Sequence, residues 1–256
     1  MKVTATIEGK KYTGDLNKPI DLSIVTKEKD SCLAWHVPHM KITPVITDRF
    51  IGSVQKGGFV NFRNIIINPH GNCTHTESVG HISNEAHSVN NILKKFNFIS
   101  QLLSVEPKIL EHDISNEQKK GDLQIDRSTF EGKISDDVEA LIIRTHPNNE
   151  SKKNKNYNNT NWPYLTPEAA KYLRENGVLH LLIDLPSVDR EEDEGKLLSH
   201  RAFWNYPEQI DLIRTITELI YVPEHIQDGF YMLNLSFANI CNDASPSRPI
   251  IYELNN

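Results

Sequence analysis

No run of about 18 apolar residues occurs in the 256-residue chain, so no segment has the length and composition of a membrane-crossing helix. The opening stretch MKVTATIEGKKYTGDL also lacks the roughly 7 to 15 consecutive apolar residues of a secretory signal, and the expected location is the cytoplasm. Cysteine is scarce. Cys32, Cys73 and Cys241 are odd in number, far apart and form no CxxC pair, which argues against a disulfide framework or a zinc ribbon and for reduced thiols. An excess of positive charge is missing too: 28 Lys and Arg stand against 34 Asp and Glu, for a formal net charge of -6. Without a basic face to release counterions, nucleic acid is not an expected partner, and neither is a membrane. No internal repeat of about 20 to 50 residues occurs, which excludes solenoids and propellers.

What remains is the composition of a globular protein, 38% hydrophobic and 24% charged, with a length suited to one domain carrying insertions. The first third holds short β-rich runs (VTATI, IDLSIV, MKITPVI and FVNFRNIIINPH) and reads as sheet. NNILKKFNFISQLLSVEPKIL is ambiguous, with its second half assigned to strand; EALIIRT and VLHLLIDL read as buried strands. The clearest helix has Thr166 as N-cap, Pro167 at its first position, Glu168 in the first turn and Gly177 just past its end. Helix followed directly by buried strand indicates α/β packing. QIDLIRTITELIYV fits helix or strand, whereas DGFYMLNLSFANI and RPIIYEL read as strands. Surface insertions are expected near 112–121 and 148–161, the second overlapping ESKKNKNYNNTNW, which is too polar to bury apolar area and reads as a solvated loop.

The segment HGNCTHTESVGH, residues 70–81, packs three imidazoles and a carboxylate into twelve positions. If CTHTESV is extended, His75 and Glu77 share a face and form a chelating pair. His81 has the same parity, and His70 the opposite one unless a bulge at Gly71 and Asn72 corrects it. Imidazole plus carboxylate suits divalent Zn, Mn or Fe, and three such ligands with an open position serve metal-assisted hydrolysis. The spacing matches no standard zinc signature, so metal centre and polar loop both stay open on local grounds.

This segment resembles the His-x-Gly-Thr-His-x-Asp-x-Pro-x-His signature of the cyclase family of metal-dependent hydrolases, which includes bacterial kynurenine formamidase and isatin hydrolase. Thr74, His75 and His81 match by type and spacing. DLNKPI, PYLTPEAAKYLRENGV, LLIDLPSVD, LLSHRAFW, TELIYV and ASPSRPIIYEL resemble further family stretches in the same order, over most of the chain. The resemblance implies an α/β single domain over 1–256, a β-rich core with flanking helices of the swivelling β/β/α type. It also implies metal ligands His70, His75, Glu77, His200 and Glu218, with Glu77 and Glu218 able to serve two ions, and His81 as general acid or base. The cofactor implied is Zn or Mn, one or two per chain; the substrate is a small-molecule amide, and the assembly a homodimer or larger homo-oligomer.

Trp35 and His36 are candidate substrate contacts, a stacking ring and a donor. Asp184, Ser187 and Asp189 either line the site or form an Asx-type turn, and His146 faces pocket or water. His39, His87, His112, His180 and His225 read as structural or exposed. Four departures from the family signature bear on function: Glu77 replaces Asp, one residue is inserted between the first two histidines, Cys73 replaces Gly and Val79 replaces Pro. A Glu carries its carboxylate about 1.5 Å further out than Asp, so backbone or metal must adjust. These changes motivate an alternative, a cyclase-like protein that binds a metal or small molecule without hydrolysis.

Overall fold

The computed structural model describes residues 1–256 and is built on one eleven-stranded mixed sheet. Its main strands are β1 (Lys2–Ile7), β2 (Lys10–Asp15), β3 (His75–Glu77), β4 (Asn97–Val105), β5 (Ala140–Thr145), β6 (His180–Ile183), β7 (Thr215–Glu218), β8 (Gly229–Asn234), β9 (Ala244–Pro246) and β10 (Ile250–Asn255). They lie in the order β1-β2-β10-β8-β4-β5-β6-β7-β3-β9, and the two-residue strand Ile20–Asp21 joins β10 off this path. Strands β4 to β7 are parallel neighbours, and all other pairings within this sheet are antiparallel.

The parallel centre is continuously apolar because both its faces are covered. Period-two alternation divides it: Leu141, Ile143, Leu181 and Ile183 enter one core, while Ala140, Ile142 and Leu182 enter the other. The first core is roofed by two helices, Pro167–Glu175 and Leu198–Trp204, through Ala169, Ala170, Leu173, Phe203 and Trp204. Each fully buried Leu or Ile contributes roughly 1.5–3 kcal/mol to this packing. The β-rich α/β architecture with flanking helices is the expected fold class.

The helix at 167–175 forms as its caps dictate. Thr166 Oγ1 accepts from the Ala169 N–H at 3.2 Å, Pro167 occupies the first helical position, and Gly177 takes φ 82°, where a side chain would be strained. Other expectations are modified. FVNFRNIIINPH does not enter the main sheet: Arg63–Ile66 pairs only with Lys41–Pro44, in an exposed arm. Of QIDLIRTITELIYV only Thr215–Glu218 is regular, as strand. The segment ESKKNKNYNNTNW was expected to be a solvated loop, yet it buries Tyr157 and Trp162 to 2% exposure. Both aromatics join Ile24, Cys32, Ala34, Leu219 and Tyr221, and the Trp162 indole N–H is satisfied by Asp189 O at 3.1 Å.

A titratable group inside this core sets a pH dependence. His180 opens β6, its Nδ1 2.9 Å from Thr215 Oγ1 and its ring 4.1 Å from that of Phe98. Burial, reinforced by Lys95 and Arg214, pushes its pKa down to about 3. Lys95 is paired with Glu139 and Arg214 with Asp211, each at 2.6 Å. Folded His180 is therefore neutral, whereas the unfolded chain takes up a proton below about pH 6.5. Its contribution is complete above pH 6.5 and is lost as pH falls toward 3, amounting to about 2 kcal/mol by pH 5. Urea unfolding at pH 7 and pH 5 should show His180→Gln losing about 2 kcal/mol less than the parent over that interval; equal losses would refute this origin.

Candidate metal centre

The residues of HGNCTHTESVGH meet through three different backbone conformations. Asn68 accepts from the Gly71 N–H at 3.1 Å and Pro69 starts a single helical turn, α1 (Pro69–Asn72), which swings His70 toward Glu77. This turn, rather than a bulge at Gly71 and Asn72, overcomes the opposite parity of His70. A Cβ on Gly71 would clash with Val37 and the Ala34 carbonyl, which is why this turn requires glycine. In β3, His75 and Glu77 share one face as the parity argument requires, and Thr76 on the other face bonds Thr217 at 2.8 Å. Antiparallel register sets Glu218 opposite His75. Ser78 then caps a short 3-10 turn, Val79–His81, which returns His81 to the same carboxylate without any help from strand parity.

His200 arrives on α3, Leu198–Trp204 (α2 being Pro167–Glu175). Asp189 caps α3 from outside it, accepting from the N–H groups of Ser199 at 2.7 Å and His200 at 3.1 Å. The same carboxylate accepts from His200 Nδ1 at 2.5 Å, so Nε2 is left to face Glu77 Oε1 at 3.0 Å and Glu218 Oε1 at 3.6 Å. His75 is fixed in the same sense: Nδ1 donates to Cys73 O at 3.0 Å and Nε2 stands 3.5 Å from Glu218 Oε2. Glu218 Oε1 is held by the Val188 N–H at 3.0 Å.

Glu77 is the hub. Its Oε2 lies 3.1 Å from His70 Nδ1, 3.9 Å from His81 Nδ1 and 4.0 Å from His75 Nε2. The outer rim is closed by Asp243, 2.9 Å from His70 Nε2 and 3.5 Å from His81 Nδ1, and the His70 and His81 rings stack at 4.3 Å. Burial opposes charge on Glu77, His70 and His200, yet the attraction of their neighbours prevails. Glu77 is held well below the usual carboxylate range by His81, His200 and His70. His70 is pushed up to about 10 by Asp243 and Glu77, and His200 well above the ordinary imidazole value by Asp189 and Glu77.

Two buried atoms nevertheless lack a directed hydrogen bond, His75 Nε2 and Glu77 Oε2. An unsatisfied buried carboxylate oxygen beside an unsatisfied imidazole nitrogen costs several kcal/mol unless something joins them. A divalent cation fits that gap. The donor atoms of His75, Glu77 and Glu218 lie within 4.8 Å of one another, as do those of His70, Glu77 and His81, with Glu77 common to both groups. Nitrogen and carboxylate donors suit Zn or Mn.

The structure thus brings together His70, His75, Glu77, His81, His200 and Glu218. Trp35 and His36 stay outside this group: Trp35 packs edge-to-face on Trp162 at 5.0 Å, and His36 is exposed, its backbone N–H bonded to Asn158 at 2.8 Å. Of the turn residues, Asp189 orients His200, whereas Asp184 is drawn to Lys152 at 2.7 Å, away from the cluster. Asp243 was missed by sequence reasoning. It precedes β9, which reaches β3 only through long-range pairing, and nothing local in CNDASP marks it.

Comparison with known proteins gives the chain its family. The family model described as "Putative cyclase" matches residues 20–190. Kynurenine formamidase of Bacillus cytotoxicus is 26% identical over 242 residues, covering 94% of this chain and 97% of that protein. The Bacillus anthracis kynurenine formamidase is 24% identical over 238 residues, covering 93% and 95%. Among solved structures, a potential metal-dependent hydrolase with cyclase activity superposes with a TM-score of 0.64 at 15% identity, covering 92% of this chain and 97% of that one. Isatin hydrolase A from Labrenzia aggregata, bound to benzyl benzoate, gives 0.63 at 14% identity, covering 92% and 93%. With two-thirds of its length matched by the family model and the fold shared nearly end to end, the chain belongs to the cyclase family.

Proposed function

We propose that this protein is a metal-dependent hydrolase of a non-peptide carbon-nitrogen amide bond in a small molecule, of the kynurenine formamidase kind. The observation that carries this reading is the pair of unsatisfied buried atoms, His75 Nε2 and Glu77 Oε2, within a cluster of four further ligand-type groups. The names of its relatives, kynurenine formamidase and isatin hydrolase, supply the substrate class. His70, His75, Glu77, His200 and Glu218 would hold one or two divalent ions, Zn or Mn. Such an ion supplies Lewis acidity for an amide carbonyl and lowers the pKa of water toward about 7.

The protein's own groups do the rest. Asp189 and the Cys73 carbonyl fix the ring orientations of His200 and His75 through Nδ1, so that each Nε2 faces the centre, where a cation would take the place of the proton that His200 shares with Glu77. His81, 29% exposed, stands where the cluster meets solvent. There it takes the proton from attacking water and delivers it to the departing nitrogen, so that the acyl carbon gains the hydroxyl and the amine the hydrogen. Asp243, at 3.5 Å, holds the His81 ring in place. The Glu77 substitution is compatible with this arrangement, since its longer side chain reaches His200 at 3.0 Å and His70 at 3.1 Å.

The same reading takes residues 1–256 as one domain with surface insertions near 112–121 and 148–161, in a homodimer or larger homo-oligomer. Half of the exposed large apolar residues, nine of eighteen, lie between Ile46 and Ile66 on the projecting arm, which supports association with another copy. The test of function is turnover of N-formylkynurenine and isatin by Zn- or Mn-loaded protein. His81→Ala should keep its metal and lose about 100-fold or more in kcat. Tight ligand binding without turnover in the parent would replace hydrolysis with the binding-protein alternative.

A further inference from the structure

A second cavity, of about 240 Å³, opens beside the polar 149–163 segment and shares no lining residue with the metal cluster. Its wall includes Lys152, Lys155 and His146 but no Asp or Glu, although acidic residues outnumber Lys and Arg in the chain by 34 to 28. Lys152 is committed: its ammonium donates to Thr145 O at 2.6 Å and Asp184 Oδ2 at 2.7 Å. Lys155 is not. Its Nζ sits 4.7 Å above the Tyr157 ring and meets no carboxylate. Partial burial and the nearby Lys152 lower the pKa of Lys155, outweighing the opposite pull of Glu191.

Tyr157 supplies the second observation. Its side chain is 2% exposed and lines the cavity, and its hydroxyl makes no hydrogen bond within the protein yet is not one of the sealed-off polar atoms, so it remains accessible as a donor at the cavity. Trp162, Pro147 and Leu185 complete an apolar wall beside these donors.

We propose that this cavity is a binding site for a small organic carboxylate with a flat apolar body, its charge taken by Lys155 and the Tyr157 hydroxyl and its body lying against Trp162. The volume admits a single-ring acid. A carboxylate there satisfies the free phenol and the unpaired ammonium together, which a neutral ligand of the same shape does not. The site stands apart from the proposed hydrolysis, because none of its groups belongs to the metal cluster, and it can be tested on metal-free protein.

The probe is benzoate, titrated calorimetrically into metal-free full-length protein, with benzamide and inorganic phosphate as comparisons. Saturable one-to-one binding of benzoate is expected. Lys155→Gln should weaken it about tenfold or more and Tyr157→Phe by about threefold to tenfold, while Lys155→Arg retains it. Unchanged melting temperatures keep these variants interpretable, and Lys155 lies at an exposed position where substitution leaves the core intact. No saturable binding, or an affinity unchanged from the parent in Lys155→Gln and Tyr157→Phe, would overturn the proposal. So would benzamide binding as tightly as benzoate, which would remove the role of charge, or phosphate binding in place of benzoate, which would remove the role of the apolar wall.

Discussion

Glu77→Ala is expected to empty the metal centre while leaving the sheet folded. Glu77 is the one anion that belongs to both candidate ligand groups; its Oε1 pairs with His200 Nε2 at 3.0 Å, while its Oε2 lies 3.1 Å from His70 Nδ1 without a directed hydrogen bond. Its removal leaves His70, His75, His81 and His200 gathered around a space with no central charge. A cation placed there meets the imidazole nitrogens, the off-centre Glu218 and the peripheral Asp243, without the central carboxylate. Elemental analysis should find metal falling from one or two ions per chain to background. Hydrolysis of the amide substrate should fall about 1000-fold or more, equivalent to about 4 kcal/mol of transition-state stabilisation. Glu77→Asp, shorter by about 1.5 Å, should keep metal at reduced affinity. Full metal occupancy in Glu77→Ala would remove Glu77 from the centre.

Chelation should produce the largest change in stability. A cation that binds the assembled cluster and not the unfolded chain stabilises by about 4 kcal/mol at a thousandfold excess over its dissociation constant. For a chain of this size each kcal/mol is worth roughly 2–4 °C, so stripping the metal should lower the melting temperature by about 10 °C. The unpaired His75 Nε2 and Glu77 Oε2 give this its physical basis, because without the ion two buried polar atoms go unsatisfied. Scanning calorimetry before and after chelator treatment reads it. His75→Ala serves as the control: it should melt lower to begin with and show little further change on chelation. A parent protein indifferent to chelator would mean that the fold does not use the ion.

Sequence and structure agree where the decisive interactions are local. Thr166, Pro167 and Gly177 mark the helix 167–175 because caps depend on neighbours within four residues, and Leu141–Ile143 and Leu181–Ile183 mark central strands because both faces are buried. His75 and Glu77 are likewise legible as a pair from strand parity alone. His70 and His81 are near them in sequence, but they reach Glu77 through a helical turn and a 3-10 turn, which alternation cannot describe. His200 and Glu218 were placed only by family resemblance, since a parallel crossover and the register of β7 on β3 bring them in. Composition misled at 150–162: Tyr157 and Trp162 are buried despite a run of Asn and Lys, because a few aromatics can anchor a polar segment whose remaining side chains stay in water. The arm at 46–66 misled in the opposite direction, its β-branched and aromatic residues forming strands that find no core within the chain.

The most direct test is a crystal of protein saturated with Zn or Mn, measured at the metal's absorption edge. An anomalous peak is predicted about 2.0–2.2 Å from both His75 Nε2 and a Glu77 oxygen, with His200 or Glu218 completing the shell. A saturated crystal in which His75 and Glu77 point apart, or in which the only peak lies elsewhere on the chain, would contradict the account.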